Sequence, residues 1–219
     1  MISAIIPARG GSKSIPNKNI FNINGKPLVW YVIDACRNSS KIDNIIVSTD
    51  SDDVKNVVLK YYNDVEVLNR PSRLATDSSL SEDAIHHVLC ELSSKETPDY
   101  VLFAQATSPL TEPSDLDRLI GKLEEGNDSA AFYVEDYGFF FGEDDMLNPR
   151  TPRQFRIPRR REAGNAWAFE THGFMKHLSR LFGKVGLCKI DYPKNLDVDF
   201  YADLKVISYL LSERGGNAF

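Results

Sequence analysis

The feature that most constrains this chain is its opening. An isoleucine-rich run from Ile2 to Pro7 stops on a proline and passes straight into Ala8-Arg9-Gly10-Gly11-Ser12-Lys13. A short apolar run without polar alternation suits a strand buried on both faces. Such strands occur where helices cover a parallel sheet on either side, so the start of the chain already selects an α/β architecture. The rest of the sequence keeps that rhythm. Further strands are predicted over Asn44 to Thr49, Val65 to Leu68, Tyr100 to Phe103, Ala166 to Phe169 and Gly186 to Ile190. Apolar residues at helical spacing predict helices over Pro27 to Arg37, Ser51 to Tyr62, Ser81 to Leu92, Pro113 to Glu125, Gly173 to Arg180 and Phe200 to Glu213. The alternation predicts a Rossmann-like three-layer α/β fold with a mostly parallel sheet.

The rhythm breaks at about 135–163, where Tyr137, Phe139, Phe140 and Phe141, the acids Glu143, Asp144 and Asp145, and six arginines from Arg150 to Arg161 crowd together. We read this stretch as a small arm inserted into a single domain spanning 1–219. The aromatic cluster beside it predicts dimerisation through the arm. The tail Gly215-Gly216-Asn217-Ala218-Phe219 is expected to fray.

Net charge limits the ligand class. At -5 overall, the surface is not built for nucleic acid, so an anionic ligand must be met by a local cluster of cations. The three cysteines, Cys36, Cys90 and Cys188, lie far apart without metal spacing, and read as buried thiols of a reducing cytoplasm. No run reaches the roughly 18 apolar residues of a membrane span, and no basic leader precedes the first strand.

The loop after the first strand carries the first chemistry. Glycines at the carboxyl end of a parallel strand let backbone N–H groups approach phosphate oxygens, and Arg9, Lys13 and Lys18 add the charge that a triphosphate requires. The spacing is neither that of an ordinary ATPase phosphate loop nor that of a dinucleotide fingerprint. A second pattern lies near the other end, in Asn195-Leu196-Asp197-Val198-Asp199-Phe200. In an extended segment Asp197 and Asp199 point the same way, and paired hard oxygen donors suit Mg²⁺. The same pattern also fits a helix cap by Asp199 with Asp197 merely exposed.

The string from Ile6 to Asn19, Ile-Pro-Ala-Arg-Gly-Gly-Ser-Lys-Ser-Ile-Pro-Asn-Lys-Asn, resembles the opening signature of the CMP-sialic acid synthetases, the acylneuraminate cytidylyltransferases. Arg70-Pro71 with Leu74-Ala75-Thr76-Asp77, the serines Ser78, Ser79 and Ser81, and Gln105-Ala106-Thr107-Ser108-Pro109-Leu110 are similar to further segments of that family. The resemblance implies transfer of CMP from CTP to the anomeric hydroxyl of an acidic keto sugar, with release of pyrophosphate. It implies a catalytic set of Arg9, Lys18, Asp197 and Asp199, with the two aspartates also holding Mg²⁺. The nucleotide would be met by Ala8, Gly10, Gly11, Ser12, Asn19, Ser79 and Ser81, and the acceptor by Gln105, Asn165, Phe169 and Arg153. Arg153-Gln154 resembles a family pair on an arm that reaches a second subunit's active site, which implies a homodimer.

Departures concentrate at the acceptor side. Gly164-Asn165-Ala166-Trp167-Ala168-Phe169 stands where the family has Asn-Gly-Ala-Ile-Tyr, and the run Arg159 to Arg161 is not a usual family feature. The acceptor is therefore expected to be sialic acid, a modified nonulosonate or another acidic keto sugar. Two other readings share the fold: a nucleotidyltransferase for sugar phosphates, and a non-catalytic nucleotide-binding subunit.

Overall fold

The structure is a computed structural model that describes residues 1–140 and 150–215. In chain order its strands are β1 Ile2–Pro7, β2 Asn22–Ile23, β3 Lys26–Pro27, β4 Asn44–Thr49, β5 Glu66–Asn69, β6 Tyr100–Ala104, β7 Ser129–Asp136, β8 Arg159–Glu170 and β9 Val185–Lys189. The helices are α1 Leu28–Arg37, α2 Asp52–Tyr61, α3 Ser81–Leu92, α4 Pro113–Glu124, α5 Thr171–His177 and α6 Tyr201–Gly215. Seven strands form one sheet in the order β5-β4-β1-β6-β8-β7-β9, and a small β2-β3 hairpin stands apart. Within that sheet β8 alone runs antiparallel to its neighbours, while β1, β4, β5 and β6 pair in parallel and β7 pairs in parallel with β9.

The three layers follow from the side-chain alternation of the strands. Ala4 and Ile6 of β1 join α1, α2 and α4 through Val29, Val32, Val54, Val58, Leu116 and Leu119. Ile5, between them, faces the other way and joins α3 and α5 through Ile85, Val88, Leu89 and Phe174. Both faces are thus covered, as an unbroken apolar strand demands.

A third cluster fixes the site. Ile15 from the loop after β1, Leu110 after β6, Val198 before α6, and Leu204 and Ile207 of α6 pack together. All but Leu204 are fully buried. This contact brings together three loops that are far apart in sequence.

Within the stretch 135–163, read from the sequence as an inserted arm, regular structure is present at both ends. Its two flanks are strand: Val134, Glu135 and Asp136 pair with Arg161, Arg160 and Arg159, so β7 and β8 continue beyond the sheet as a two-stranded ribbon. Strand β7 carries too few alternating apolar residues at its end to be read locally; pairing with β8 forms it. Arginines cover the aromatic rings here. Arg150 and Arg156 lie 4.2 and 3.8 Å from the centre of the Phe139 ring, Arg159 lies 4.6 Å from Phe140 and Arg160 5.1 Å from Tyr133. Phe141, Glu143, Asp144 and Asp145, like the residues 216–219 of the tail, lie outside the described residues. Two of the three thiols are buried as expected, but Cys90 is exposed on α3. Among the described residues no helix is long and apolar enough to cross a membrane.

Candidate active site

The carboxyl ends of β1, β4, β5 and β6 open on one cleft of about 440 Å³, lined by Arg9, Ser12, Lys13, Lys18, Arg70, Asp77, Ser79, Ser81, Thr107 and Asp199 among others. This is where ligands of open parallel sheets bind. The two glycines of the turn do different work. A Cβ on Gly10 would lie 2.6 Å from the Cβ of Ser51, so only glycine lets the turn pack on the start of α2, whereas a Cβ on Gly11 would meet nothing within 4 Å. The Gly10 amide donates to Asp50 Oδ1 at 2.9 Å. At the far end of the loop Asn17 adopts a left-handed conformation at φ 53°, which asparagine tolerates, and Asn19 Nδ2 donates to the Arg9 carbonyl at 2.8 Å. The loop is therefore closed on itself, with Ile15 as its apolar anchor.

Lys18 leaves this loop toward the acid segment. Its Nζ donates to the Val198 carbonyl at 2.8 Å and lies 3.2 Å from Asp199 Oδ1. The segment is held from both sides, since the Val198 amide donates to the Thr107 carbonyl at 2.8 Å and the Val198 side chain is fully buried. Asp203 Oδ2 accepts from the amides of Asp199 and Phe200 at 2.9 and 2.7 Å at the start of α6, while the Asp199 carboxylate meets Lys18.

Asp197 lies deeper. The Ser108 hydroxyl donates to its Oδ1. Burial pushes its carboxyl above the ordinary carboxylate range, Asp199 adds to the shift, and Ser108 and Lys18 oppose it. Its Oδ2 faces Gly164, where a Cβ would come within 3.1 Å of that oxygen and 3.6 Å of Gln105 Nε2. Asp197, Gln105 and Gly164 thus enclose one small space. Gly164 sits there because β8 bulges: Ala131 of β7 pairs with Trp167 while Tyr133 pairs with Glu162.

The donor set fits a hard divalent cation. Two carboxylates flank the anchored Val198, and the Asp199 charge helps to hold the Asp197 carboxyl above the ordinary range, an effect that a bound cation would offset. Among the described residues no group of three or more acidic, histidine or cysteine ligands exists, so the protein would supply two oxygens and leave the remaining positions to water and phosphate, as Mg²⁺ prefers.

Several site expectations need correction. Phe169 is not near the cleft. Because β8 runs antiparallel to β6, Asn165 lies level with Gln105 and Phe169 level with Val101 at the opposite end of the sheet. It is fully buried and stacks on Phe174 with ring centres 5.1 Å apart. Asn165 is near the cleft, but its side chain is buried and its Nδ2 donates to the Lys194 carbonyl at 2.7 Å and to Thr111 Oγ1 at 2.9 Å. It braces the acid segment instead of touching an acceptor. The Ala8 amide is donated to the Ser48 carbonyl at 2.9 Å and Ala8 is buried, so its N–H is not available to a nucleotide. Asn19, also buried, acts on the loop and not as a wall of the cleft. Arg153 lies 5.4 Å from the Tyr137 ring and lines a second cavity, of about 580 Å³, with Arg156, Arg161, Lys189 and Asn195. Within one chain it does not enter the nucleotide cleft.

Sequence reasoning assigned no role to Arg70, which the structure makes conspicuous. It is 6% exposed, and its Nε and Nη2 have no hydrogen-bond partner. Asp50 at 3.9 Å is its nearest ion-pair partner among the described residues. Its position right after β5, matching Arg9 after β1, is the signal that could have found it.

Comparisons with known proteins identify the family. Residues 3–149 match the cytidylyltransferase family model. Over 237 aligned residues the chain is 28% identical to a pseudaminic acid cytidylyltransferase of Campylobacter jejuni subsp. jejuni serotype O:23/36 (strain 81-176), covering 98% of each. A CMP-N,N'-diacetyllegionaminic acid synthase of Legionella pneumophila is 41% identical over 119 residues, covering 52% of this chain and 50% of that one. Among solved structures, CMP:2-keto-3-deoxy-manno-octonic acid synthetase complexed with CTP superposes with a TM-score of 0.75 at 16% identity, covering 97% of this chain and 99% of that one, which speaks for the fold. The family model spans more than half of the sequence, and the chain belongs to the cytidylyltransferase family of nucleotidyltransferases.

Proposed function

We propose that the protein transfers CMP from CTP to the anomeric hydroxyl of an acidic keto sugar of the nonulosonate class and releases pyrophosphate. The observation that carries this reading is the contact of Lys18 with Asp199 and the Val198 carbonyl. It joins a phosphate-type turn to the segment that carries both carboxylates, of which Asp199 lines the cleft.

On this reading Arg9, Lys13 and Lys18 meet the polyphosphate, with the Gly11 and Ser12 backbone beside them. Arg70, which lines the cleft and keeps two donors without protein partners, meets the acceptor edge of the cytosine ring once the nucleotide settles against it, and Ser79 and Ser81 complete that wall of the cleft. The acceptor approaches from the other side of Asp197, against Gln105 and the space that Gly164 leaves open. Arginine forks match its carboxylate, and we assign that role to Arg153 and Arg161, which line the neighbouring cavity. Asp197, held above the ordinary carboxylate range by burial, is the group that takes the proton of the attacking hydroxyl. Mg²⁺ held by Asp197 and Asp199 would neutralise charge on the departing pyrophosphate and polarise the α-phosphate. The remaining acceleration comes from alignment of the hydroxyl with the α-phosphorus.

We place the reaction in a reducing cytoplasm, in keeping with the three free thiols, and assign the active form to a homodimer. Mass-spectrometric detection of CMP-sugar, with CTP, Mg²⁺ and a panel of neuraminic, legionaminic, pseudaminic and octulosonic acids, tests the function. Product with any of these acids supports it; no product with any, alongside turnover of a sugar 1-phosphate, rejects it.

A further inference from the structure

The four cations of the nucleotide cleft fall into two kinds. Lys18 and Arg70 are held in place by the fold: Lys18 by the Val198 carbonyl and Asp199, Arg70 by burial beside Asp50. Arg9 and Lys13 belong to the other kind. Both are accessible, and both turn to a single carboxylate: Asp77 Oδ1 lies 3.1 Å from Arg9 Nη1 and Asp77 Oδ2 lies 2.7 Å from Lys13 Nζ.

Asp77 sits between two cations of the turn after β1. It divides its two oxygens between the two cations that follow the strand-terminal glycines or precede them, inside the cavity that also contains Lys18 and Asp199. The loop carrying it is hydrogen-bonded to itself. The Thr76 hydroxyl is 3.1 Å from that of Ser78 and 2.8 Å from that of Ser79, the Thr76 amide donates to Ser79 Oγ at 3.1 Å, and Ser79 Oγ donates to the Arg73 carbonyl at 3.2 Å. The ion pairs themselves are weak, because their members are open to solvent and such pairs contribute little to stability. A self-bonded loop presenting a weakly held anion suits a competitor for the two cations better than a structural bridge.

We propose that Asp77 is a displaceable internal anion, which holds Arg9 and Lys13 over the empty cleft, yields them to the substrate polyphosphate, and then competes with pyrophosphate for them so that the product leaves. The proposal rests on the assignment of this cleft to CTP. Its physical basis is that a carboxylate enclosed with a multiply charged phosphate chain repels it at short range, and that ion pairs exchange for ion pairs when the ligand arrives. Asp77 thus lowers the affinity of the cleft for polyphosphate while keeping its cations oriented. The consequence runs against the ordinary effect of mutating a residue in a binding site: removing Asp77 tightens binding.

Isothermal titration calorimetry on the full chain tests this, with CTP and with pyrophosphate, each in the presence of Mg²⁺, at two salt concentrations. Asp77→Asn is expected to lower both dissociation constants by about threefold to tenfold, as removal of one like charge from a partly solvated site implies, and to steepen their dependence on salt. Asp77→Ser, which suits the serine-rich turn, is expected to do the same and serves if the asparagine variant does not fold. Unchanged or weaker binding of both ligands by a folded variant overturns the proposal and makes Asp77 a brace of the loop. A wild-type protein that binds pyrophosphate but not CTP removes the nucleotide assignment instead, and a wild-type protein that binds neither removes both.

Discussion

Lys18 and Asp199 lie 3.2 Å apart although 181 positions separate them in sequence. The same lysine reaches the Val198 carbonyl, so one side chain ties the loop after β1 to the segment before α6. Behind this contact Ile15 and Val198 pack in one apolar cluster. Burial of those side chains brings the loops together, and the polar contact then sets their register.

Loss of that lysine should damage nucleotide use more than folding. Lys18 is 14% exposed, and a hydrogen bond to a charged group contributes about 1.5–3 kcal/mol. Lys18→Ala is expected to reduce kcat/KM for CTP by more than about tenfold, measured by pyrophosphate release at fixed acceptor. Near-normal kinetics would remove Lys18 from the site.

Asp197 should show opposite effects on activity and stability. Its carboxyl is raised chiefly by burial, so the folded protein holds that proton more tightly than the unfolded chain does. The contribution to stability is full below the unfolded carboxylate pKa and is lost as pH rises through the raised folded one. Asp197→Asn is therefore expected to melt at or above the wild-type temperature at neutral pH, with the difference shrinking in acid. Its kcat should fall about 10²–10⁴-fold. A destabilised variant that keeps its activity would contradict both expectations.

Arg70 invites a similar test by a different route. A buried guanidinium whose Nε and Nη2 lack partners is a cost to the free protein, and burial accordingly pushes its pKa down. Arg70→Met keeps much of the volume and removes the charge. Differential scanning fluorimetry should find the free variant as stable as wild type or more so, while the upward shift on adding CTP largely disappears, as expected for about a tenfold to hundredfold loss of affinity. An undiminished CTP shift would show that Arg70 does not meet the base.

Much of this was legible before any coordinates. The apolar run of β1, its glycine pair and the acid pair before α6 are local signals, because each needs only a strand end, a turn or a capped helix to be read. What could not be read is what depends on pairing. Strand β7 ends in Val134-Glu135-Asp136, which has no strand character of its own and gains it from Arg159 to Arg161 across the ribbon. The direction of β8 sends Phe169 to the far end of the sheet, and a sequence pattern carries no direction for a strand whose neighbours are unknown. The position of Asn165 in sequence suits an acceptor contact, yet its Nδ2 serves the Lys194 carbonyl and the Thr111 hydroxyl. Composition near a site does not say which side chains face it.

The ribbon of β7 and β8 should carry the dimer contact. Its rings at Phe139 and Phe140 lie under arginines, but Phe155 and Ile157 stand 72% and 93% exposed, a combination that is costly in an isolated chain. Light scattering at micromolar protein is expected to give the mass of two chains, and Ile157→Asp combined with Phe155→Ser the mass of one. A wild-type monomer would exclude this use of the ribbon.

The acceptor side can be tested without touching any charged residue. Gly164 carries no positive φ, so alanine there strains no backbone, and its only cost is spatial. The added Cβ would stand 3.1 Å from Asp197 Oδ2 and 3.6 Å from Gln105 Nε2, inside the space assigned to the attacking hydroxyl. The nucleotide cleft lies on the other side of the acid segment and includes neither Gly164 nor Gln105 among its walls. Gly164→Ala is therefore expected to leave CTP affinity within about twofold while raising the acceptor KM or lowering kcat by about tenfold to a hundredfold, the scale on which a misplaced reactant loses rate. Equal losses toward both substrates would mean that the bulge of β8 supports the whole site, and would withdraw the acceptor from the space between Asp197 and Gln105.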